Sequence, residues 1–170
     1  SVTKYTGVLT MFLDLISSRR SIRKFKNKSV EKEKISVLIE AALRAPSSRS
    51  RNPWQFIVIE DREILDKLSE SKPHGSSFLK QAPLGIIICG DPSKTDVWIE
   101  DCSIATIFIH LAAHDLGLGS CWIQIRNRDQ YKDQNSSKSA DQYIKELVKI
   151  PEHMLVEAIV AIGYPDEIKK

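Results

Sequence analysis

The residues able to do chemistry fall in three short segments. The first is the run Arg19-Arg20-Ser21-Ile22-Arg23-Lys24, four cations and a hydroxyl in six positions. A phosphate monoester carries nearly two negative charges and takes several charge-assisted donors, which arginine forks and a serine hydroxyl supply together; the same run would also serve as a solvated basic turn. The second is Pro46-Ser47-Ser48-Arg49-Ser50-Arg51-Asn52-Pro53-Trp54, whose hydroxyl and amide groups suit the polar edges of a heterocycle, or simply turn the chain. The third is Gly117-Leu118-Gly119-Ser120-Cys121-Trp122-Ile123, where glycines permit close backbone approach to a flat ligand and Gly117 equally suits a helix stop.

Other chemistries lack their residues. There is no Gly-x-Ser-x-Gly nucleophile elbow and no Gly-x-Gly-x-x-Gly dinucleotide fingerprint. Cys89, Cys102 and Cys121 are odd in number and widely spaced among apolar neighbours, so they read as buried thiols of a reducing, cytoplasmic protein. His110 and His114 share a helix face at a spacing of four, but no third ligand accompanies them, and no metal is expected. Residues 1–51 carry 12 Lys/Arg against 4 Asp/Glu, and the remainder 13 against 18, a bias that points to an anionic partner. A nucleic acid would satisfy it, yet no recognition helix, RNA-binding aromatic motif or zinc module is recognisable.

These segments need elements to hold them. A helix over Val8–Ser17 delivers the basic run, and a second, capped by Ser29, carries Ile35, Leu38, Ile39 and Ala42 as a stripe until Pro46 stops it. Trp54–Ile59 reads as a strand, Asp61 caps a short helix through Leu68, and residues 71–77 form a loop. Leu84–Cys89 is continuously apolar and reads as a central strand buried on both faces. The stretch from Trp98 to Leu116 is helical and apolar around most of its circumference, which calls for cover by a neighbouring subunit. Ser120–Ile123 and Glu157–Ile162 are further strands, separated by the polar loop 129–140 and the amphipathic helix Asp141–Lys149. At 170 residues without a long linker or a membrane-spanning stretch, the chain is expected to be one α+β domain, a mixed sheet sandwiched by helices.

In this order the segments resemble the nitroreductase family of flavin enzymes. The likeness is carried by Arg19–Phe25, by Ala45-Pro46-Ser47-Ser48 with Pro53-Trp54, by Trp98-Ile99-Glu100-Asp101, by His114–Ile123, and by Ile150-Pro151-Glu152 and Ile162-Gly163-Tyr164-Pro165. It implies a homodimer with FMN sites at the interface and a ping-pong reaction, in which NADH or NADPH reduces flavin N5 and a nitroaromatic, quinone or similar small acceptor reoxidises it. On that pattern Arg19 and Ser21 bind phosphate and ribityl oxygens with Arg20 in support. Arg23 lies near N1 and O2, where reduced flavin tends to carry negative charge. Pro46, Ser47 and Ser48 line the flavin from the partner subunit, and Trp122, Ile123 and Gln124 pass its N5 and O4 edge. Ser50 and Asn52 stand where the family commonly has Asn and Gln. Lys169 and Lys170 stand in for a basic C-terminal arm. The hydride chemistry belongs to the cofactor, so no obligate acid, base or nucleophile is assigned. A reductive dehalogenase or flavin-fragmenting enzyme of the same fold is the alternative, and a basic nucleic-acid module is the reading from another class.

Overall fold

The computed structural model describes residues 11–130 and 138–169. Lys170, the start of the first expected helix and most of the 129–140 loop lie outside them. Five helices, α1 (Met11–Ser18), α2 (Lys32–Leu43), α3 (Arg62–Leu68), α4 (Trp98–Asp115) and α5 (Ala140–Val148), surround strands β1 (Trp54–Ile59), β2 (Leu84–Gly90), β3 (Gly119–Gln124) and β4 (Leu155–Gly163). The strands run in the order β1-β2-β4-β3, which makes β3 an edge. Every residue of β2 is buried, as its unbroken apolar run requires.

The alternation of β2, β4 and β3 side chains divides the core into two layers. Ile87, Cys89, Ile123, Ile159 and Ala161 face Leu65 and Leu68 of α3 and Ile144 of α5. Leu84, Ile86, Ile88, Val160 and Ile162 face Leu38 and Ala42 of α2 and Cys102, Ala105 and Ile109 of α4. Gly90 leaves room for that second layer, since a Cβ there would sit 2.3 Å from the Trp98 ring.

The expected mixed sheet is antiparallel in all three of its strand pairs, and among the described residues parallel pairing is confined to the isolated bridge between Ser21 and Ser120. For β1 and β2 the direction goes with the excursion that joins them. Both Nη atoms of Arg62, at the start of α3, donate to the Ala82 and Leu79 carbonyls at its other end, at 2.9 and 2.8 Å. The chain is thereby returned to the end of β1 that it left, so Ile59 pairs with Gly85. Ser29 does not cap α2. The cap position is Glu31, without a side-chain cap bond, because its carboxylate accepts the Tyr164 hydroxyl at 2.6 and 2.8 Å. Asp61 does cap α3, accepting the Ile64 amide. At the end of α4, Gly117 adopts φ 76°, and the Gly117 and Leu118 amides donate to the His114 and Ala113 carbonyls, the two closing bonds of a Schellman motif.

Candidate cofactor site

Where α1 ends, the basic segment is laid along the exposed side of β3. The Ile22 amide donates to the Ser120 carbonyl at 3.0 Å, and the Cβ-free Gly119 lets Ile22 lie against the strand, for a Cβ there would stand 2.7 Å from its side chain. The C-terminal residues then run back beside the same segment. Phe25 bridges Pro165, the Asp166 amide donates to the Lys24 carbonyl, and Glu167 Oε1 accepts the Arg23 and Lys24 amides at 2.6 and 3.2 Å. The result is a cleft of about 190 Å³ into which Arg19, Arg20 and Lys169 bring three cations and Ser18, Ser120 and His114 bring polar groups. One acid lines it, Glu167. Its carboxylate is held below its usual range chiefly by the Arg23 amide, and Lys169 Nζ stands 3.6 Å from it.

The floor of this cleft is fixed from α4. His110 Nδ1 and Ser120 Oγ share a buried 2.7 Å hydrogen bond, and His114 Nε2 meets Ser18 Oγ at 2.8 Å. The histidine pair of the sequence is therefore split between two serines, and no group of three metal-ligating side chains occurs among the described residues. Burial, and then the charge of Arg19, push the His110 pKa down to about 4, so the ring is neutral beneath the cations.

Along β3 the neighbouring groups follow in order. Ser21 lies in the bridge to Ser120 rather than in the cleft lining. Arg23 stacks its guanidinium 5.9 Å from the Phe78 ring centre, and its charge is felt at the Cys121 thiol, whose pKa burial nevertheless raises. Because the Ser120 carbonyl points away from β4, antiparallel alternation turns the backbone N–H groups of Trp122 and Gln124 to the same open edge, while Ile123 packs in the core. The side chains there are pre-set: Trp122 Nε1 donates to Gln124 Oε1 and Gln124 Nε2 to the Arg126 carbonyl, each at 2.9 Å.

The Pro46–Asn52 loop is not brought to this cleft within one chain. It packs at the N-terminal end of α4, where the Ser48 amide donates to Asp101 Oδ1 at 3.0 Å, whereas the cleft touches the helix at His114. Thirteen helical residues separate them, about 20 Å of rise. The loop is stiffly built. The Ser47 hydroxyl donates to Asn52 Oδ1 at 2.6 Å and accepts the Asn52 amide at 3.0 Å, while Arg49, Ser50 and Asn52 all hold positive φ. Left-handed backbone at non-glycine residues costs about 1–2 kcal/mol each and persists where surroundings impose it. Pro46 and Ser50 are exposed; Ser47 and Ser48 are half-buried.

Sequence reasoning missed several supporting groups. Asp101, 3% exposed, anchors the loop, and only its place in the Trp98–Asp101 motif hinted at it. Glu157 sits at a register shift where Ile88 pairs with Ala158 but Cys89 with Val156, and this extra residue turns its carboxylate toward α4, where Ser103 Oγ donates at 2.7 Å. Burial pushes its pKa up to about 7. Nothing in the local pattern distinguishes it from its apolar neighbours' strand.

An α+β fold with an antiparallel sheet and a cationic cleft at the sheet edge defines the class of protein, and comparison with known proteins supplies the family. The Nitroreductase family model matches residues 16–73 and 70–164. A Methanothermobacter thermautotrophicus protein provisionally named NADH dehydrogenase/NAD(P)H nitroreductase is 39% identical over 91% of this chain and 78% of its own. An FMN-dependent nitroreductase from Clostridium difficile R20291 superposes with a TM-score of 0.89 at 52% identity, covering 93% of this chain and 90% of that one. An iodotyrosine deiodinase of Thermotoga neapolitana is 23% identical over 95% of this chain and 92% of its own. The chain belongs to the nitroreductase family.

Proposed function

We propose that this protein is a cytoplasmic, homodimeric FMN-dependent oxidoreductase that takes electrons from NADH or NADPH and passes them to nitroaromatic, quinone or similar small acceptors by a ping-pong mechanism. The observation that carries the reading is the cleft of Arg19, Arg20 and Lys169 at one end of the open β3 edge, in a chain of this family. The residues fit the group. Three cations and the Ser18 and Ser120 hydroxyls suit a terminal phosphate, and the edge N–H groups of Trp122 and Gln124 suit the polar rim of a flat ring system.

When bound, FMN supplies the redox chemistry, accepting a hydride equivalent and later releasing the electrons. The chain's own residues bind and orient. Arg19 and Arg20, with Lys169, neutralise the phosphate, with Ser21 in the bridge that fixes their backbone. Arg23, further along the strand, places a cation beside the pyrimidine end, and the Trp122–Gln124 pair holds the strand edge rigid.

A second copy completes the site. Since the Pro46–Asn52 loop stands about 20 Å from the cleft of its own chain, Ser47, Ser48, Ser50 and Asn52 reach a flavin only across a dimer interface. Exposed Phe12 and Ile16 of α1, Val37 and Leu43 of α2 and Ile104 and Ile107 of α4 supply apolar surface for that contact. No helix among the described residues is long and apolar enough to cross a membrane.

The direct test is chromatography of the flavin released from the purified protein. FMN at one per chain is expected, because a single-phosphate cleft is present without a pyrophosphate fingerprint; stoichiometric FAD, or a colourless protein that cannot be reconstituted, would refute the reading.

A further inference from the structure

A second cationic cleft lies elsewhere on the molecule. About 360 Å³ in volume, it is walled by Lys72, Pro73 and His74 from the loop after α3 and by Asn127, Arg128 and Asp129 from the loop after β3, and shares no residue with the cleft at Arg19. Left-handed backbone at Gly75 and Asn127 bends the two loops. Lys72 is half-buried and its ammonium is folded over Gly75, 3.5 Å from where a Cβ would stand.

The electrostatics of this cleft are unbalanced. Burial and the charge of Arg128 both push the Lys72 pKa down, and neither cation has a carboxylate within 4 Å among the described residues, Asp129 included. Other exposed cations do pair: Lys32 with Glu60, Arg44 with Glu40, Arg62 with Asp66, Lys67 with Glu63. Arg128 spends one donor on the Asn127 carbonyl, and among the described residues no carboxylate pairs with the rest of its fork. Two cations facing one another over a concave surface, with no carboxylate partner, form a receptor for an anion.

We propose that this cleft binds a phosphate group of the nicotinamide dinucleotide donor. The inference rests on the flavin reading in one respect, that FMN occupies the Arg19 cleft, so the donor's own phosphates need cations elsewhere. The position suits them. Lys72 lies within electrostatic range of the Cys121 side chain of β3, and Asn127 follows Gln124 by three residues, at most about 10 Å of chain. A donor whose nicotinamide lies against the flavin at the β3 edge would carry its pyrophosphate, or the 2′-phosphate of NADPH, toward this cleft.

Two measurements test it on Lys72→Gln, Arg128→Gln and the double variant. In anaerobic rapid reduction of the flavin-loaded protein, the donor concentration for half-maximal rate rises about tenfold or more per lost contact, while the limiting rate, flavin content and visible spectrum stay unchanged. A rise with both donors assigns the pyrophosphate; a rise with NADPH alone assigns the 2′-phosphate. Calorimetric titration of 2′,5′-ADP and of ADP needs no flavin, and the double variant binds the matching probe about tenfold or more weakly than wild type. Unchanged donor dependence together with unchanged probe binding overturns the proposal. So does a loss of FMN or an altered flavin spectrum, which would give these cations to the flavin. A wild-type protein that takes up no flavin instead defeats the underlying reading, and the titrations still decide the cleft.

Discussion

Arg19 and Arg23 are four residues apart but stand at different places along β3, and their replacements should differ in kind. Arg19 lines the phosphate-sized cleft, so Arg19→Ala removes charge-assisted bonds worth about 1.5–3 kcal/mol each and weakens FMN binding by roughly one to two orders of magnitude. Arg23 lies further along, near Cys121, so Arg23→Ala shifts the flavin midpoint potential downward while FMN affinity changes less. Fluorescence titration and redox titration of both variants check this. Glu157 offers a pH signature. Its pKa rises on folding from 4.5 to about 7, so its contribution to stability is full below the unfolded value and is lost as pH climbs through the folded one. His110, pushed down to about 4 from 6.5, has the opposite sign and loses its contribution as pH falls. Glu157→Gln keeps an acceptor for Ser103 and should stabilise the protein at about pH 8 by up to about 3 kcal/mol, with little change at about pH 5. Urea denaturation at the two pH values is the measurement.

At the scale of elements, the turn from α4 into β3 sets the site's geometry through two glycines that act by different physics. Gly117 has positive φ and nothing within 4 Å of a would-be Cβ, so Gly117→Ala meets only backbone strain, a loss of about 1 kcal/mol. Gly119 has ordinary backbone, but a Cβ there would stand 2.7 Å from Ile22, so Gly119→Ala pushes the basic segment off the strand. Overpacking of this kind costs about 1–3 kcal/mol, and it should also weaken FMN binding, which Gly117→Ala should not. Thermal melts paired with flavin titration separate the two. The helix stop at Gly117 was legible in the sequence because a Schellman motif is local. The role of Gly119 was not, since Ile22 is nearly a hundred residues away in the chain.

For the whole molecule, the decisive property is that the two segments of the proposed site lie at opposite ends of α4. A lone chain keeps its cationic cleft and its serine loop about 20 Å apart; in the proposed dimer two chains bring one to the other. Ile107 of α4 is 42% exposed amid apolar neighbours. Ile107→Glu puts a charge into the proposed contact, and light scattering should then show monomer together with loss of FMN, whereas wild type remains a flavin-loaded dimer. A stable monomeric wild type that retains FMN would contradict the two-chain site.

Apolar periodicity and capping chemistry act over a few residues, so the sequence alone was sufficient for the existence of β1 through β4, for the Asp61 cap, for the stop after α4 and for the buried centre of the sheet at β2. The same holds for the cationic cluster, because four charges in six positions are visible without a fold. Strand direction was not readable. It depends on where each connection re-enters the sheet, as in the β1–β2 excursion, whose two ends Arg62 ties together. Nor could the chain's linear order tell that Lys169 returns to Arg19 while Ser48 goes to Asp101 at the far end of the same helix, since both pairings are long-range hydrogen-bond and packing choices. Glu157 shows the limit most plainly: a carboxylate inside an apolar strand is tolerated because a one-residue register shift turns it toward Ser103, and register is a property of the assembled sheet.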